Sequence, residues 1–230
     1  MIQKYKDIEY TLQRSRRKTA SVYVERDGQV SLIVPETLTD EEVERLIESK
    51  RRWIYRHLAE WRDLNATRVQ REYVNGEGFL YLGRTYRLKL VRQQDVPLKL
   101  KDGHFCLRAT GGSAETPDAA FREFYRDKGK QRIPARIAFF EPRMGVQATA
   151  VRVLDLKHRW ASCSPGGNIN LHWKCMMAPP TVIDYIVVHE LAHLRYRNHT
   201  RAFWNLVDKV LPDYQERKEW LRVNGAGMEL

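Results

Sequence analysis

The first third of the chain alternates apolar and polar positions in short runs. Ser21-Val22-Tyr23-Val24-Glu25 and Val30-Ser31-Leu32-Ile33-Val34 flank Arg26-Asp27-Gly28-Gln29. Asp-Gly between two alternating runs predicts a hairpin, because glycine tolerates the positive φ that such turns require. Pro35 closes the second strand. The period then changes: Val43, Leu46, Ile47, Ile54, Leu58 and Trp61 recur at helical spacing, which predicts a helix from Thr39 to about Leu64. Thr39 and Glu42 have the spacing of a capping box, and Leu38 and Val43 that of a hydrophobic staple. His57 sits among charged neighbours in this helix and is expected at the surface.

Alternating runs return between Phe79 and Leu107, broken at Gly83 and at Asp102-Gly103, and predict two more hairpins. Thr110 to Pro117 has the composition of a linker. A basic amphipathic helix is expected from about Asp118, with Pro134 kinking or interrupting it. Beyond residue 148 the order becomes strand, strand, strand, helix, helix. Thr149 to Leu156, Arg159 to Cys163 and Ile169 to Trp173 are the strands, the last two joined by the turn-rich Ser164-Pro165-Gly166-Gly167-Asn168. Pro179-Pro180 ends the extended structure and opens the next helix. No internal repeat shows in the sequence. The fold class is α+β, with a β-rich portion over 1–110 carrying one long helix and a metal-binding catalytic portion over 117–230.

That helix begins at Thr181, and nearly every position from Val182 to Leu194 is apolar, yet it carries His189, Glu190 and His193. Two imidazoles and a carboxylate in such surroundings need partners. His189 and His193 are four apart, about 40° round a helix and one turn along it, so both can take corners of a zinc tetrahedron. Glu190 is placed to reach a water at the open corner as general base. A third ligand is required. On a continuous helix His199 would lie about 9 Å beyond His193 and on the wrong face. The helix is therefore expected to end near Arg197-Asn198, with Asn198 left-handed and Thr200 capping the next helix, whose apolar face is Phe203, Leu206, Val207 and Val210. His199 then falls in the corner between two helices. Glu216 and Glu219 are the competing ligands.

Composition narrows the setting. The 230 residues are 43% hydrophobic, enough for a packed core, and no run approaches the length of a membrane helix. The N-terminus lacks the pattern of a signal peptide. Cys106, Cys163 and Cys175 show no disulfide spacing, so a cytoplasmic location is expected. The net charge of +11 suits solubility or attraction to nucleic acid, another polyanion or an acidic substrate.

Arg159-Trp160-Ala161-Ser162-Cys163-Ser164, Asn168-Ile169-Asn170-Leu171, Ala178-Pro179-Pro180, Asp184-Tyr185, His189 to Leu194, and His199 with Phe203-Trp204 together resemble the YgjP-like metallopeptidases, related to the SprT-type zincins. Arg17-Lys18-Thr19, Val34-Pro35 and Glu41-Glu42 extend the likeness towards the N-terminus. Ala161 departs from the glycine expected there, and Tyr196 stands where metzincins have glycine. The resemblance implies a zincin-like core, its active-site helix packed on a small antiparallel sheet, with one zinc held by three histidines and protein or peptide substrates.

The expected chemistry is amide hydrolysis by a metal-activated water, with extended substrate pairing along the 159–173 hairpin. Tyr196, His172 and Arg159 are candidate contacts to substrate or transition state. Two other readings use the same residues. Arg195, Arg197 and Arg201 around the third histidine suit a zinc-dependent nucleotide pyrophosphatase, and zinc could instead brace a non-catalytic binding module. A cysteine hydrolase built on Cys163 with His172 or His158 is a further alternative.

Overall fold

The computed structural model describes residues 2–25, 27–65, 71–109, 116–156 and 159–230. The chain divides into two compact units, Met1–Val69 and Gln70–Leu230.

In the first unit, β1 (Ile2–Tyr5), β2 (Ile8–Ser15), β3 (Ser21–Val24) and β4 (Val30–Pro35) form a sheet of order β1-β2-β4-β3, followed by α1 (Asp40–Asn65). The β3–β4 pair is the expected hairpin, with Gly28 at φ 85°. β2 runs parallel to β4. Val30, Leu32 and Val34 alternate inward and meet Val43, Ile47 and Ile54 of the helix. The capping box is present: Thr39 N–H donates to Glu42 at 2.9 Å, and Glu42 N–H to Thr39 Oγ1 at 3.3 Å. His57 is half-buried rather than superficial, its ring 4.5 Å from that of Trp53 and its Nδ1 3.4 Å from Glu60.

The second unit opens with β5 (Gly78–Tyr81), β6 (Arg84–Val91), β7 (Leu98–Lys101) and β8 (His104–Arg108), in the order β5-β6-β8-β7, followed by α2 (Pro117–Met144). Both expected hairpins form, and β6 runs parallel to β8. Phe79, Leu88 and Phe105 share a core with Phe121, Phe124 and Tyr125 of α2. Strands 78–108 therefore belong with the C-terminal unit by packing, whereas the sequence reading grouped them with the N-terminal portion. Residues 110–115 of the expected linker lie outside the described residues. Pro134 does not interrupt α2, which runs through it between the buried Ile133 and Ile137.

The two four-stranded sheets repeat one chain path. Each has an antiparallel, a parallel and an antiparallel pairing in the same strand order. Strand lengths of 4, 8, 4 and 6 residues in the first correspond to 4, 8, 4 and 5 in the second. Helices of 26 and 28 residues follow. This repeat is one of topology and was not visible in the sequence.

A third sheet, of order β10-β11-β9, is made by β9 (Ala150–Leu154), β10 (Ala161–Cys163) and β11 (Asn168–His172). It is mixed, not wholly antiparallel as expected, because β9 reaches β11 from α2 and pairs parallel to it. A short 3₁₀ helix, Trp173–Met177, leads into α3 (Pro180–Ala192), α4 (Arg201–Val210) and α5 (Tyr214–Asn224). Among the described residues no helix is long and apolar enough to cross a membrane.

The β5–β6 turn braces the entry to α3. Leu82 and Gly83 have φ of 52° and 77°, and their amides donate to the carbonyls of Met176 and Met177 at 2.9 and 3.0 Å. A Cβ on Gly83 would stand 2.8 Å from Cγ of Pro179, whereas one on Gly103 (φ 73°) would meet nothing within 4 Å. Gly103→Ala is expected to lower stability by about 1–2 kcal/mol through backbone strain alone. Gly83→Ala should lose about 1–3 kcal/mol more from overpacking. Equal losses in denaturant titrations of the two variants would contradict the close approach.

Candidate metal centre

α3 is buried on most sides because Val182, Ile183, Ile186, Val187, Val188, Leu191 and Ala192 belong to the main core. One charged pair fixes it against α2: Arg136 donates from Nε and Nη2 to both Asp184 oxygens at 2.6 and 2.9 Å. This two-pronged geometry sets orientation as well as attraction.

The helix stops earlier than expected. Its last residue is Ala192, and the amides of His193, Leu194 and Arg195 bond to carbonyls three residues back at 3.1–3.2 Å. Tyr196 N–H returns to Ala192 O at 2.9 Å, and His193 Nδ1 lies 3.1 Å from Tyr196 O. Because a carbonyl only accepts, His193 Nδ1 carries the proton and its Nε2 is left with the free lone pair. These bonds close the turn without a left-handed stop, and Asn198 is not in that region. Asn198 O instead accepts from Thr200 N–H at 2.8 Å. Thr200 caps α4 as expected, its hydroxyl accepting from Phe203 N–H at 3.4 Å.

The result is convergence. His199 Nε2 lies 3.0 Å from His189 Nε2, and one nitrogen from each of His189, His193 and His199 falls within 4.8 Å of the others. Fully buried Phe203 underlies the cluster, its centroid 4.7–5.0 Å from all three imidazoles. Trp204 stacks on His199 at 5.5 Å, and Tyr214 on Trp204 at 5.4 Å. Among the described residues this is the one group of three or more His, Cys, Asp or Glu side chains placed to hold a metal ion. Glu216 is exposed on α5, and Glu219 is engaged by Arg222 at 2.6 and 2.8 Å.

The donor set fits a zinc-type cation. Three neutral imidazoles match its preference, and adjacent corners of a tetrahedron with bonds of about 2.0–2.1 Å are roughly 3.3 Å apart, near the observed 3.0 Å. Burial holds the His189 pKa down to about 3, with help from His193 and His199, so this ring stays neutral. His199 is lowered too, burial first and then His193.

Glu190 is 6% exposed. Burial pushes its carboxyl up to about 7, against the opposing pull of Arg159 and of a hydrogen bond from Cys163 N–H. Cys163 itself is raised, by burial and then by the Glu190 charge, which disfavours a nucleophilic thiolate. Its Sγ lies 3.6 Å from Ser164 O. His158 lies outside the described residues.

These groups open onto a cleft of about 1000 Å³, walled by residues 145–149, the 159–167 segment and the end of α3 with its following turn. Arg159, Arg195 and Arg197 line it. Of the other candidate contacts, Tyr196 contributes its carbonyl to His193 while its ring lies 5.7 Å from the Arg195 guanidinium. His172 is not in the cleft. Its Nδ1 accepts from Lys174 N–H at 3.0 Å, capping the 3₁₀ helix, and its Nε2 faces Asp155 at 3.2 Å. Sequence reasoning missed the Cys163 amide, a backbone group without a side-chain signal, and the Arg136–Asp184 pair, which joins residues 48 apart.

A family model described as YgjP-like, metallopeptidase domain, matches residues 18–224. No curated protein matches the chain. A solved structure, the metallopeptidase zymogen of Pyrococcus abyssi abylysin, is 29% identical, covering 38% of this chain and 89% of that one with a TM-score of 0.36. Because the family match runs through nearly the whole sequence and both compact units, the chain belongs to the YgjP-like metallopeptidase family and is a metal-dependent hydrolase.

Proposed function

We propose that the protein is a zinc-dependent peptidase in which His189, His193 and His199 hold one zinc ion and Glu190 moves the proton. The observation that carries this reading is the convergence of three imidazole nitrogens within 4.8 Å beside a buried carboxylate. Zinc, when bound, supplies Lewis acidity towards water and the scissile carbonyl. Glu190 takes a proton from the attacking water and delivers it to the leaving amine. The Cys163 amide holds the carboxylate in place, and Arg159 favours its ionised form. β10 is the free edge of its sheet, and Ala161, Ser162 and Cys163 line the cleft, so an extended peptide can add to that edge as a further strand. Arg159 is the candidate nearest to a role in steadying an oxyanion, whereas His172 serves the fold. Three free cysteines suit a reducing compartment, and we place the protein in the cytoplasm.

Glu190→Gln is expected to retain the metal and lower kcat by at least about 10²–10⁴-fold, because an amide cannot accept the water proton. Elemental analysis alongside a peptide-cleavage assay checks both halves. Metal loss in this variant would make Glu190 a ligand. Hydrolysis of nucleoside triphosphates in preference to peptides would favour a pyrophosphatase, and metal binding without any turnover would leave a zinc-braced module.

His199→Ala is expected to weaken zinc binding by about 100-fold or more, a larger loss than second-layer substitutions give. Glu216→Ala and Glu219→Ala should leave it unchanged. Competition with a chromogenic chelator measures all three. A loss confined to either glutamate variant would reassign the third ligand.

A further inference from the structure

We propose that the cleft selects peptide segments rich in Asp and Glu, read by Arg159, Arg195 and Arg197. This specificity rests on the peptidase reading above and adds the class of substrate to it. Its first support is the sign of the lining. Glu190 is the sole carboxylate on the cleft wall, set against three arginines. All three arginines are exposed, and among the described residues none forms an ion pair. Some other arginines of the same unit are neutralised: Arg122 by Asp118 and Asp155, Arg136 by Asp184, Arg217 by Asp213 and Arg222 by Glu219. Arg84, Arg132 and Arg201 are also without an ion pair among the described residues, so what marks the cleft is its lining of three such guanidiniums against one buried carboxylate.

The second support is the wider charge distribution. Residues 70–230 carry 26 Lys and Arg against 17 Asp and Glu, so most of the +11 net charge belongs to the unit that holds the cleft. A basic cleft between protein walls focuses its field on an approaching anion. The third support is what the lining lacks. Val146 and Leu194 are its largest aliphatic side chains, so no deep apolar pocket competes to set the preference.

Carboxylate side chains match this lining in chemistry. A guanidinium presents a planar fork that pairs with both carboxylate oxygens. In an extended peptide, residues i and i+2 face the same way, about 6.6–6.8 Å apart. Acidic residues at alternate positions of a strand along β10 therefore present their charges to the same side of that strand.

The test measures binding apart from catalysis, using full-length Glu190→Gln protein and fluorescence anisotropy. Labelled twelve-residue peptides of Glu-Thr, Gln-Thr and Lys-Thr repeats are compared with oligo(dT) of the same length. The acidic peptide is expected to bind at least about tenfold more tightly than the neutral one at low salt and to weaken as salt rises. Arg159→Gln, Arg195→Gln and Arg197→Gln should each cost about two- to fivefold, as expected for exposed charge pairs. Arg84→Gln, at an exposed position on β6 outside the cleft, should cost nothing. Equal binding of acidic and neutral peptides would overturn the proposal, as would a preference that survives in the triple Gln variant. Tighter, competing binding of oligo(dT) would overturn it in favour of a nucleic-acid cleft. If the wild-type enzyme fails to cleave an acidic peptide that binds through these arginines, the fault lies with the peptidase reading and not with the cleft's preference.

Discussion

α3 packs its apolar faces into the core and carries an imidazole and a carboxylate, both largely buried, to the edge of the cleft. An ionised carboxylate there, unpartnered, costs several kcal/mol or neutralises itself, and the Glu190 pKa of about 7 expresses that tension. Two elements bear on it. The 159–163 segment brings the Arg159 charge and the Cys163 amide to the carboxylate, and the turn after α3 offers the Tyr196 carbonyl to His193. A divalent ion held by the three imidazoles would act on Glu190 in the same sense as Arg159, favouring the charged form that can accept a proton. The polar groups of the site are thus mutually dependent.

Packing fixes the platform for these groups. Arg136 clamps Asp184 two turns before Glu190, and the β5–β6 turn anchors the two methionine carbonyls just before the helix begins. Phe203 fills the space beneath the imidazoles, so their rings rest on a rigid apolar floor. The cleft wall is different in kind: exposed, basic and polar. The buried side of α3 positions the site, and its open end faces the cleft.

Much of this was readable from local signals. The capping box at Thr39, the Asp27-Gly28 hairpin, the histidine spacing on an apolar helix and the Thr200 cap each act within a few residues, and each is present in the structure. Most of what escaped acts across distance. The parallel pairings of β2 with β4 and of β6 with β8 have no local pattern, which is why the repeated sheet topology was missed. The local β1–β2 hairpin was missed because its Lys6-Asp7 turn puts a lysine, not a glycine, at positive φ. The grouping of strands 78–108 follows from aromatic packing against α2, not from the glycine-rich stretch that suggested a boundary. Pro134 gave a correct local warning that tertiary burial of Ile133 and Ile137 overrode. The end of α3 was misplaced because its closing bonds come from a histidine ring and a backbone carbonyl.

That early end gives the two histidines of the motif unequal footing. His189 stands in regular helix, whereas His193 is carried by three-residue hydrogen bonds in a terminal turn. Turns of this kind open more readily than the helix behind them, well below the free energy of global unfolding. An ion held jointly by His189, His193 and His199 would tie that turn to the helix and to the loop before α4, so opening it would require breaking a coordinate bond. Local order at residues 193–199 would then follow ion occupancy, and amide hydrogen exchange at Leu194, Arg195 and Tyr196 would slow as the site fills.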